Sequence, residues 1–393
     1  MSRAWIVSDL GWGDSGKGTT VDFLCRAHDV KLVVRWNGGS QAGHRVVLDD
    51  GRAHVFSQLG AGSFAGARTH LAETVLVDPL ALAVEARVFG DVLDRVTIAA
   101  SARVITPFHV AANQVRELAR RDAAHGTCGC GIGETVADAL AHPDDVVRAR
   151  DLVGDRAALM RKLGDAQDRL VASLGDALRA TERDPRAQHA RGILTLLRAR
   201  DSDALAERIA SLGDARVIDD DAIDASLRSE AVVLEGAQGV LLDQDVGVTP
   251  PHVTWSRCTT HAAAEWLDAH RFSGERERYG VMRTYATRHG AGPFPTEARE
   301  LEALLPEPAA NERWQGRFRV GWLDPDHLRY AIEKSPIDAL VVTHIDRLGA
   351  LLVRDGVPTD PAAWLRWLAA AVATPIAITS HGPTARDKRT MAG

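Results

Sequence analysis

The sequence predicts an α/β fold: a mainly parallel central sheet flanked by helices, with a P-loop-like nucleotide-binding loop and a helical subdomain. Three observations carry this. Short apolar runs alternate with helical spacings through most of the 393 residues. Most glycine-rich turns directly follow a predicted strand, where open α/β sheets bind their ligands. The first of these turns, Gly11-Trp12-Gly13-Asp14-Ser15-Gly16-Lys17-Gly18-Thr19-Thr20, lies between a strand and a helix.

The first strand is the apolar run Ala4 to Asp9, and Val21 to Cys25 forms the body of the helix after the loop. This order suits phosphate: backbone N–H groups converge, the helix N-terminus adds its dipole, and Lys17 supplies a point charge. Gly18 stands where the Walker A pattern has Ser or Thr, and Asp14 puts a carboxylate inside the loop. A carboxylate beside polyphosphate must be neutralised by a metal or used in proton transfer.

Val30 to Arg35 reads as a second buried strand and runs into glycine-rich Trp36 to His44. Arg45 to Leu48 and His54 to Phe56 flank Asp49-Asp50-Gly51, a hairpin signal. A strand at Thr74 to Val77, a helix from Pro79 to Val88 and a strand at Arg95 to Ile98 continue the alternation. Pro107 to Arg121 is helical, and Gly126 to Gly133 is a third glycine-rich loop. From about 138 to 225 the chain is rich in Ala, Arg, Asp and Leu at helical spacing. It reads as a helical subdomain within one domain spanning 1–393, its charges on solvated faces. The sheet resumes at Ala231 to Glu235, ending in Gly236-Ala237-Gln238-Gly239. Tyr285 to Glu297 is too punctuated by glycine and proline for a helix. Asp338 to Thr343 delivers His344-Ile345-Asp346, and the last strand, Pro375 to Thr379, delivers Ser380-His381-Gly382-Pro383.

A formal net charge of −6 argues against a nucleic-acid or anionic-membrane binder. No run of about eighteen apolar residues exists, so no transmembrane helix is expected. Four cysteines do not make a disulfide framework, which points to a reducing cytoplasm. Cys128-Gly129-Cys130 has no second ligand cluster for a zinc site.

Six motifs then resemble one family, adenylosuccinate synthetase, in that family's order: Gly11–Gly18, Asn37–His44, Gly126–Gly133, Leu234–Asp243, Tyr285–Glu297 and Arg317–Asp324. The stretch from about 138 to 225 is the part that matches poorly. The resemblance implies a ligase that joins L-aspartate to carbon 6 of IMP, driven by GTP and Mg2+. Asp14 matches the catalytic aspartate and His44 the catalytic histidine; Gln238 fixes the nucleotide near the reacting oxygen. Gly13, Ser15, Gly16, Lys17, Gly18 and Thr19 would hold the donor phosphates, and Asp14 with the Gly43 carbonyl the metal. The monophosphate substrate falls to Gln41, Thr127, Cys128, Gln238, Thr254 and Arg317, the aspartate to Arg319 and Arg317. The donor base falls to His344, Asp346, Ser380 and Gly382, where the Asp346 carboxylate can accept both N1–H and the 2-amino group of guanine. A homodimer is implied, with an arginine crossing into the neighbour's nucleotide site, Arg148 first and Arg150 next.

The chain departs from the family at several of these positions. Ser15 replaces a glutamate, Gln41 an asparagine, Cys128 a threonine, Cys130 an arginine, and His344 the lysine of Thr-Lys-x-Asp. Such departures leave open a phage-type branch that acts on dGMP, with ATP-type donors, to give 2-amino-deoxyadenylosuccinate. That branch often carries a smaller residue at the catalytic aspartate; Asp14 is kept here, which favours IMP. A paralogue acting on a modified purine nucleotide and a nucleotide-binding regulator without ligase chemistry are the remaining readings.

Overall fold

In the computed structural model, residues 2–195, 207–210, 215–305, 314–351 and 360–391 are described. A ten-stranded sheet in the order β16-β15-β14-β11-β1-β10-β2-β5-β7-β9 forms the frame. Its strands are β1 (Arg3–Asp9), β2 (Leu32–Arg35), β5 (Arg68–Leu71), β7 (Val96–Ala99), β9 (Arg216–Ile218), β10 (Val232–Glu235), β11 (Glu275–Arg283), β14 (Ala339–Thr343), β15 (Ile376–Ser380) and β16 (Lys388–Thr390). All neighbours run parallel except the edge pair β15/β16. Strands β1, β2, β10 and β14 are buried almost end to end, as a sheet covered on both faces requires.

Three small pairs stand apart from this frame: the hairpin β3 (His44–Val47) with β4 (Ala53–Phe56), β6 (Leu76–Val77) with β8 (Arg103–Val104), and β12 (Ala286–His289) with β13 (Phe318–Gly321). The strand expected at Thr74–Val77 is therefore only the short β6, outside the main sheet. The place beside β2 belongs to β5, whose Arg-Thr-His-Leu sequence carries no apolar run. The strand expected to be last, at Pro375–Thr379, is followed by β16, a short polar strand at the sheet edge.

Helices α1 (Lys17–Ala27), α2 (Pro79–Ala86), α3 (Pro107–Arg120) and α4 (Ile132–Ala141) lead into the stretch from 138 to 225. There, helices cover Ala149–Leu152, Arg156–Ser173, Gly175–Ala180 and Gln188–Ile193, and β9 returns to close the sheet edge beside β7. Residues 196–206 and 211–214 of that stretch lie outside the described residues. Among the described residues no helix is long and apolar enough to cross a membrane. Because β1, β2, β10, β11, β14 and β15 are parallel, the loops after them all leave from one end of the sheet; Asp14, Lys17, Gln41, Gln238, Asp346 and Gly382 follow those strands, whereas Thr127 and Cys128 lie between α3 and α4 and Arg319 lies in β13.

Candidate active site

Asp9, the buried last residue of β1, organises the first loop. Its carboxylate accepts from Gly11 N (2.8 Å), Ser15 N (3.0 Å), Ser15 Oγ (2.9 Å) and Lys17 Nζ (2.9 Å). Lys17 is buried and also donates to the Gln238 carbonyl (2.8 Å), tying the first loop to the one after β10. Thr343 Oγ1 donates to the Ser15 carbonyl (2.7 Å) from below. A Cβ on Gly16, at φ 96°, would lie 3.1 Å from the Thr343 methyl group. Helix α1 opens with no side-chain cap and no acid in its first turn, so its N-terminal amides and dipole are left for an anion. Thr19 Oγ1 donates to the Pro383 carbonyl (2.9 Å) and accepts from Lys388, which draws the loop after β15 to the same helix.

His44 starts β3 above that helix. Its Nδ1 bonds Glu235 Oε1, and Glu235 Oε2 accepts from Ala61 N (2.9 Å). Both side chains are buried; burial pushes the histidine pKa below its ordinary value, although Glu235 opposes this. A Cβ on Gly18 would lie 2.8 Å from the carbonyl carbon and Cβ of His44. This explains the missing Walker Ser/Thr. Gly18→Thr, which restores that pattern, is expected to push His44 away and lower kcat by roughly tenfold or more. Steady-state phosphate release beside a thermal melt checks it.

Asp14 lies at φ 59°, in the left-handed region. Arg283 Nε donates to its carbonyl (2.5 Å), and His289 Nε2 lies 2.7 Å from its Oδ2. Burial alone would raise the Asp14 pKa, but His289, Arg283 and Lys17 together hold it at about 2. The carboxylate is thus ionised at neutral pH.

The second and third loops close around these groups. Asn37 Nδ2 donates to the carbonyls of Ala237 (3.2 Å) and Arg257 (2.8 Å), and its Oδ1 accepts from Ala237 N (2.7 Å). Both amide atoms of Gln41 are buried with no partner among the described residues. Gln238, at φ 63°, is half-buried beside Gly13. Glu117 of α3 accepts from Gly126 N and Thr127 N, and Asn113 Oδ1 accepts from Thr127 Oγ1 and Gly131 N, which fixes the third loop. Gly129 packs on Trp314, and Gly126 and Gly290 both crowd the Gln315 carbonyl, so this loop meets the β12 and β13 segments. Cys128 and Cys130 are half-buried, and Cys130 Sγ lies 3.5 Å from the Cys128 carbonyl. Thr254 is held by its backbone N–H on the Leu242 carbonyl (2.7 Å).

Three arginines converge on β12 and β13. Arg317 Nη2 and Arg319 Nη1 share Glu297 at 2.6 and 2.9 Å, and Arg319 Nη2 donates to the Gly292 carbonyl (2.8 Å). Arg288, opposite Arg319 in the ladder, is buried and donates only through Nη2, to Thr249 Oγ1 (3.0 Å) and the His252 carbonyl (3.2 Å). Among the described residues its Nε and Nη1 have no partner and no carboxylate pairs with it; burial, and Arg319 beside it, lower its pKa to about 10. A buried cation next to another cation is a place for an anion.

At the ends of β14 and β15, His344 sits at φ 60° with its ring edge-on to Tyr285, 5.6 Å between centroids. Burial holds its pKa well below the ordinary value, so the ring is neutral. Asp346 is exposed beside Arg347 (3.2 Å), and Ser380 Oγ donates to the Gly382 carbonyl (3.0 Å). Arg148 is the residue not brought in. Its Nη1 donates to the Ser101 carbonyl (2.8 Å) and its backbone N–H to Asp151, binding it to its own chain, whereas Arg150 is exposed.

The sequence profile of the adenylosuccinate synthetase family matches residues 6–352. The chain belongs to the adenylosuccinate synthetase family. It is therefore a C–N bond-forming ligase of purine biosynthesis. It is 32% identical over 375 residues to the adenylosuccinate synthetase of Vibrio vulnificus, covering 89% of this chain and 79% of that one. It is 33% identical over 391 residues to that of Anaeromyxobacter sp., covering 91% and 83%. Among solved structures, the fully ligated adenylosuccinate synthetase of Plasmodium falciparum superposes with a TM-score of 0.77 at 20% identity, covering 99% of both chains. The succinoaminodeoxyadenylate synthetase of cyanophage S-2L, bound to dGMP and to dATP as energy donor, superposes at 0.69 and 18% identity, covering 100% of this chain and 96% of that one. At those identities the two structures speak for the fold.

Among the residues that hold this candidate site and that sequence reasoning gave no role are Asp9, Glu235, Arg288 and His289. Asp9 and Glu235 had a readable signal, a carboxylate at the end of a buried strand just before a glycine turn. Arg288 and His289 had none, because their partners come from segments distant in the chain.

Proposed function

We propose that this ligase joins L-aspartate to carbon 6 of IMP, with GTP as donor, through a 6-phosphoryl intermediate. The observation that supports this most is the placement of Asp14 and His44 beside the N-terminus of α1, the Asp14 carboxylate held by His289 and the His44 ring by Glu235. The 6-oxygen of the purine is amide-like and a poor leaving group. Asp14 takes the proton from N1, and the N–H electron pair passes to O6. The O6 oxyanion attacks the γ-phosphorus, the bond to the bridging oxygen breaks, and the nucleoside diphosphate departs. His44, oriented through Nδ1 by Glu235, offers Nε2 to the transferring phosphoryl, and as the imidazolium, with Glu235 as its counter-charge, it acts there as an acid. The aspartate amine then attacks carbon 6, and phosphate leaves.

Gly13, Ser15, Gly16, Lys17, Gly18 and Thr19 hold the donor phosphates; His344, Asp346, Ser380 and Gly382 meet its base. Gln41, Thr127, Cys128, Gln238, Thr254 and Arg317 take the monophosphate, where the unpartnered Gln41 amide finds its hydrogen bonds. A magnesium ion fits this donor set. Such ions use one or two carboxylates plus phosphate oxygens, and Asp14 with the Gly43 carbonyl offers that much. Among the described residues no cluster of three His, Cys, Asp or Glu exists for an all-protein cage. When bound, the ion would neutralise phosphate charge. The working form is a homodimer, with Arg148 or, next, Arg150 as the arginine that crosses.

Arg319 and Arg317 hold the aspartate carboxylates, and the anion-free Arg288 joins them. Arg288→Met is expected to raise the aspartate KM by roughly 10- to 100-fold while both nucleotide KM values hold, since a charge-assisted bond is lost at one ligand only. The function is tested by phosphate release with aspartate and Mg2+, crossing IMP, dIMP, GMP and dGMP with GTP and ATP. Turnover confined to IMP with GTP supports the reading. Turnover with dGMP, above all with ATP, would replace it by the 2-amino branch, for which His344 in place of a lysine is the favouring observation.

A further inference from the structure

The carboxylate of Asp14 is gripped from outside its own loop. Asp14 carries left-handed backbone strain, and its side chain is about one third exposed (32%), so the loop alone does not fix the carboxylate. Two groups from one distant segment hold it: Arg283 takes the carbonyl and His289 takes Oδ2, at 2.5 and 2.7 Å. The other ring nitrogen of His289, Nδ1, is buried with no partner among the described residues. Nε2 is the ring nitrogen with an acceptor in reach, Asp14 Oδ2 at 2.7 Å, so the ring proton is placed there. The ring lies edge-on to Phe318, 4.6 Å between centroids, and Phe318 is also its partner in the β12/β13 ladder. The imidazole is thus braced by an aromatic ring on β13 and makes one hydrogen bond, to Asp14.

We propose that His289 is a positioning residue for the ligase reaction: its Nε2–H donates to Asp14 Oδ2 and fixes the carboxylate's rotation, leaving Oδ1 to receive the N1 proton. This rests on the reading of Asp14 as the base. The terminal torsion of an aspartate is broad, so a carboxylate without such a bond samples many rotations. Proton transfer requires the near-attack arrangement, and small displacements from it are costly. His289 takes one of about four lone-pair sites on the carboxylate, so the remaining sites stay open to substrate. His289 itself neither gains nor loses a proton. The N1–H bond breaks, an O–H bond forms at Asp14 Oδ1, and the electron pair moves to O6.

Four variants test this with the full chain. His289→Phe keeps a ring against Phe318 but has no donor. His289→Asn is polar, yet its amide ends where Nδ1 stands, short of Asp14. His289→Gln reaches far enough to place an N–H at the Nε2 position. In the phosphate-release assay, kcat is expected to fall roughly 10- to 100-fold in the Phe and Asn variants. The KM values for both nucleotides and aspartate should move less than about threefold. His289→Gln should recover most of the loss. Wild-type kcat in the Phe and Asn variants overturns the proposal, as does a loss in Gln as deep as in Phe, or a loss carried by KM. A rise in kcat would mean that His289 masks Asp14, and overturns it too. Should the Phe variant show no cooperative thermal transition, the contrast between Asn and Gln decides alone. Asp14→Asn separates the two levels. Near-normal activity there sinks the base assignment, while an inactive Asp14→Asn beside an unimpaired His289→Phe sinks only the positioning role.

Discussion

Asp14→Asn is expected to lower kcat by roughly 10²- to 10⁴-fold, the range a general base contributes, with the fold retained. Asparagine is the informative replacement here, more so than alanine. Asp14 sits at φ 59°, where Asn is tolerated and Ala is strained. The Asn amide oxygen can still accept from His289, and the backbone carbonyl keeps its bond from Arg283. What disappears is the negative charge and the capacity to hold a proton. Asp14, held at about 2, is fully ionised at neutral pH in the free protein, so the variant removes an acceptor that is present from the start. The assay is single-turnover formation of nucleoside diphosphate with IMP and GTP, beside binding of both nucleotides and a thermal melt. Loss of turnover with binding and melting preserved fits the role. Turnover within a few fold of wild type, on the order of 1 kcal/mol or less in the barrier, removes Asp14 from the chemistry.

The glycine loops were legible because their signals are local. Positive φ at Gly13, Gly16, Gly38, Gly126, Gly129 and Gly131 needs glycine, and each loop follows or meets an element whose pattern can be read. Strands β1, β2, β10 and β14 announced themselves as apolar runs because both their faces are covered. Strand β11 did not, although it is the longest in the sheet and lies beside β1. Its first half reads Glu-Arg-Glu-Arg, and those residues stay half-exposed, so no buried run betrays it. The short strands β5 and β16 were hidden by polar sequence, and β9 by its length of three residues. What no local pattern could disclose was which polar groups meet. Asp14 finds His289 across 275 positions, and Lys17 finds the Gln238 carbonyl across 221. Those meetings depend on strand order: β11 lies on one side of β1 and β10 on the other. Arg148 shows the opposite limit. A loosely matched stretch suggested a role in a neighbouring copy, and within one chain the side chain bonds the Ser101 and Pro143 carbonyls.

Glu235→Gln is the second large effect. Glu235 stands at the end of β10, fully buried, with one oxygen on His44 Nδ1 and the other on Ala61 N. Arg35 and His44 keep it ionised against the cost of burial. Gln keeps the size and one acceptor, so either His44 or Ala61 N loses its oxygen, and the counter-charge for a protonated His44 is gone. By the logic of a carboxylate that orients a catalytic histidine, kcat should fall by roughly 10²- to 10⁴-fold. Glu235→Ala goes further, leaving His44, Ala61 N and the nearby Arg35 without a counter-charge in a dry interior. Breaking one side of a buried pair costs about 3–5 kcal/mol of stability. The two variants therefore part: Gln should lose turnover with a modest shift in urea midpoint, Ala should lose both. If Gln retains a third or more of wild-type kcat, His44 does not depend on Glu235, and its role at the phosphoryl group must rest on other contacts. If Gln unfolds as readily as Ala, the carboxylate serves the core first, because the charge and not the shape is then what the buried site requires.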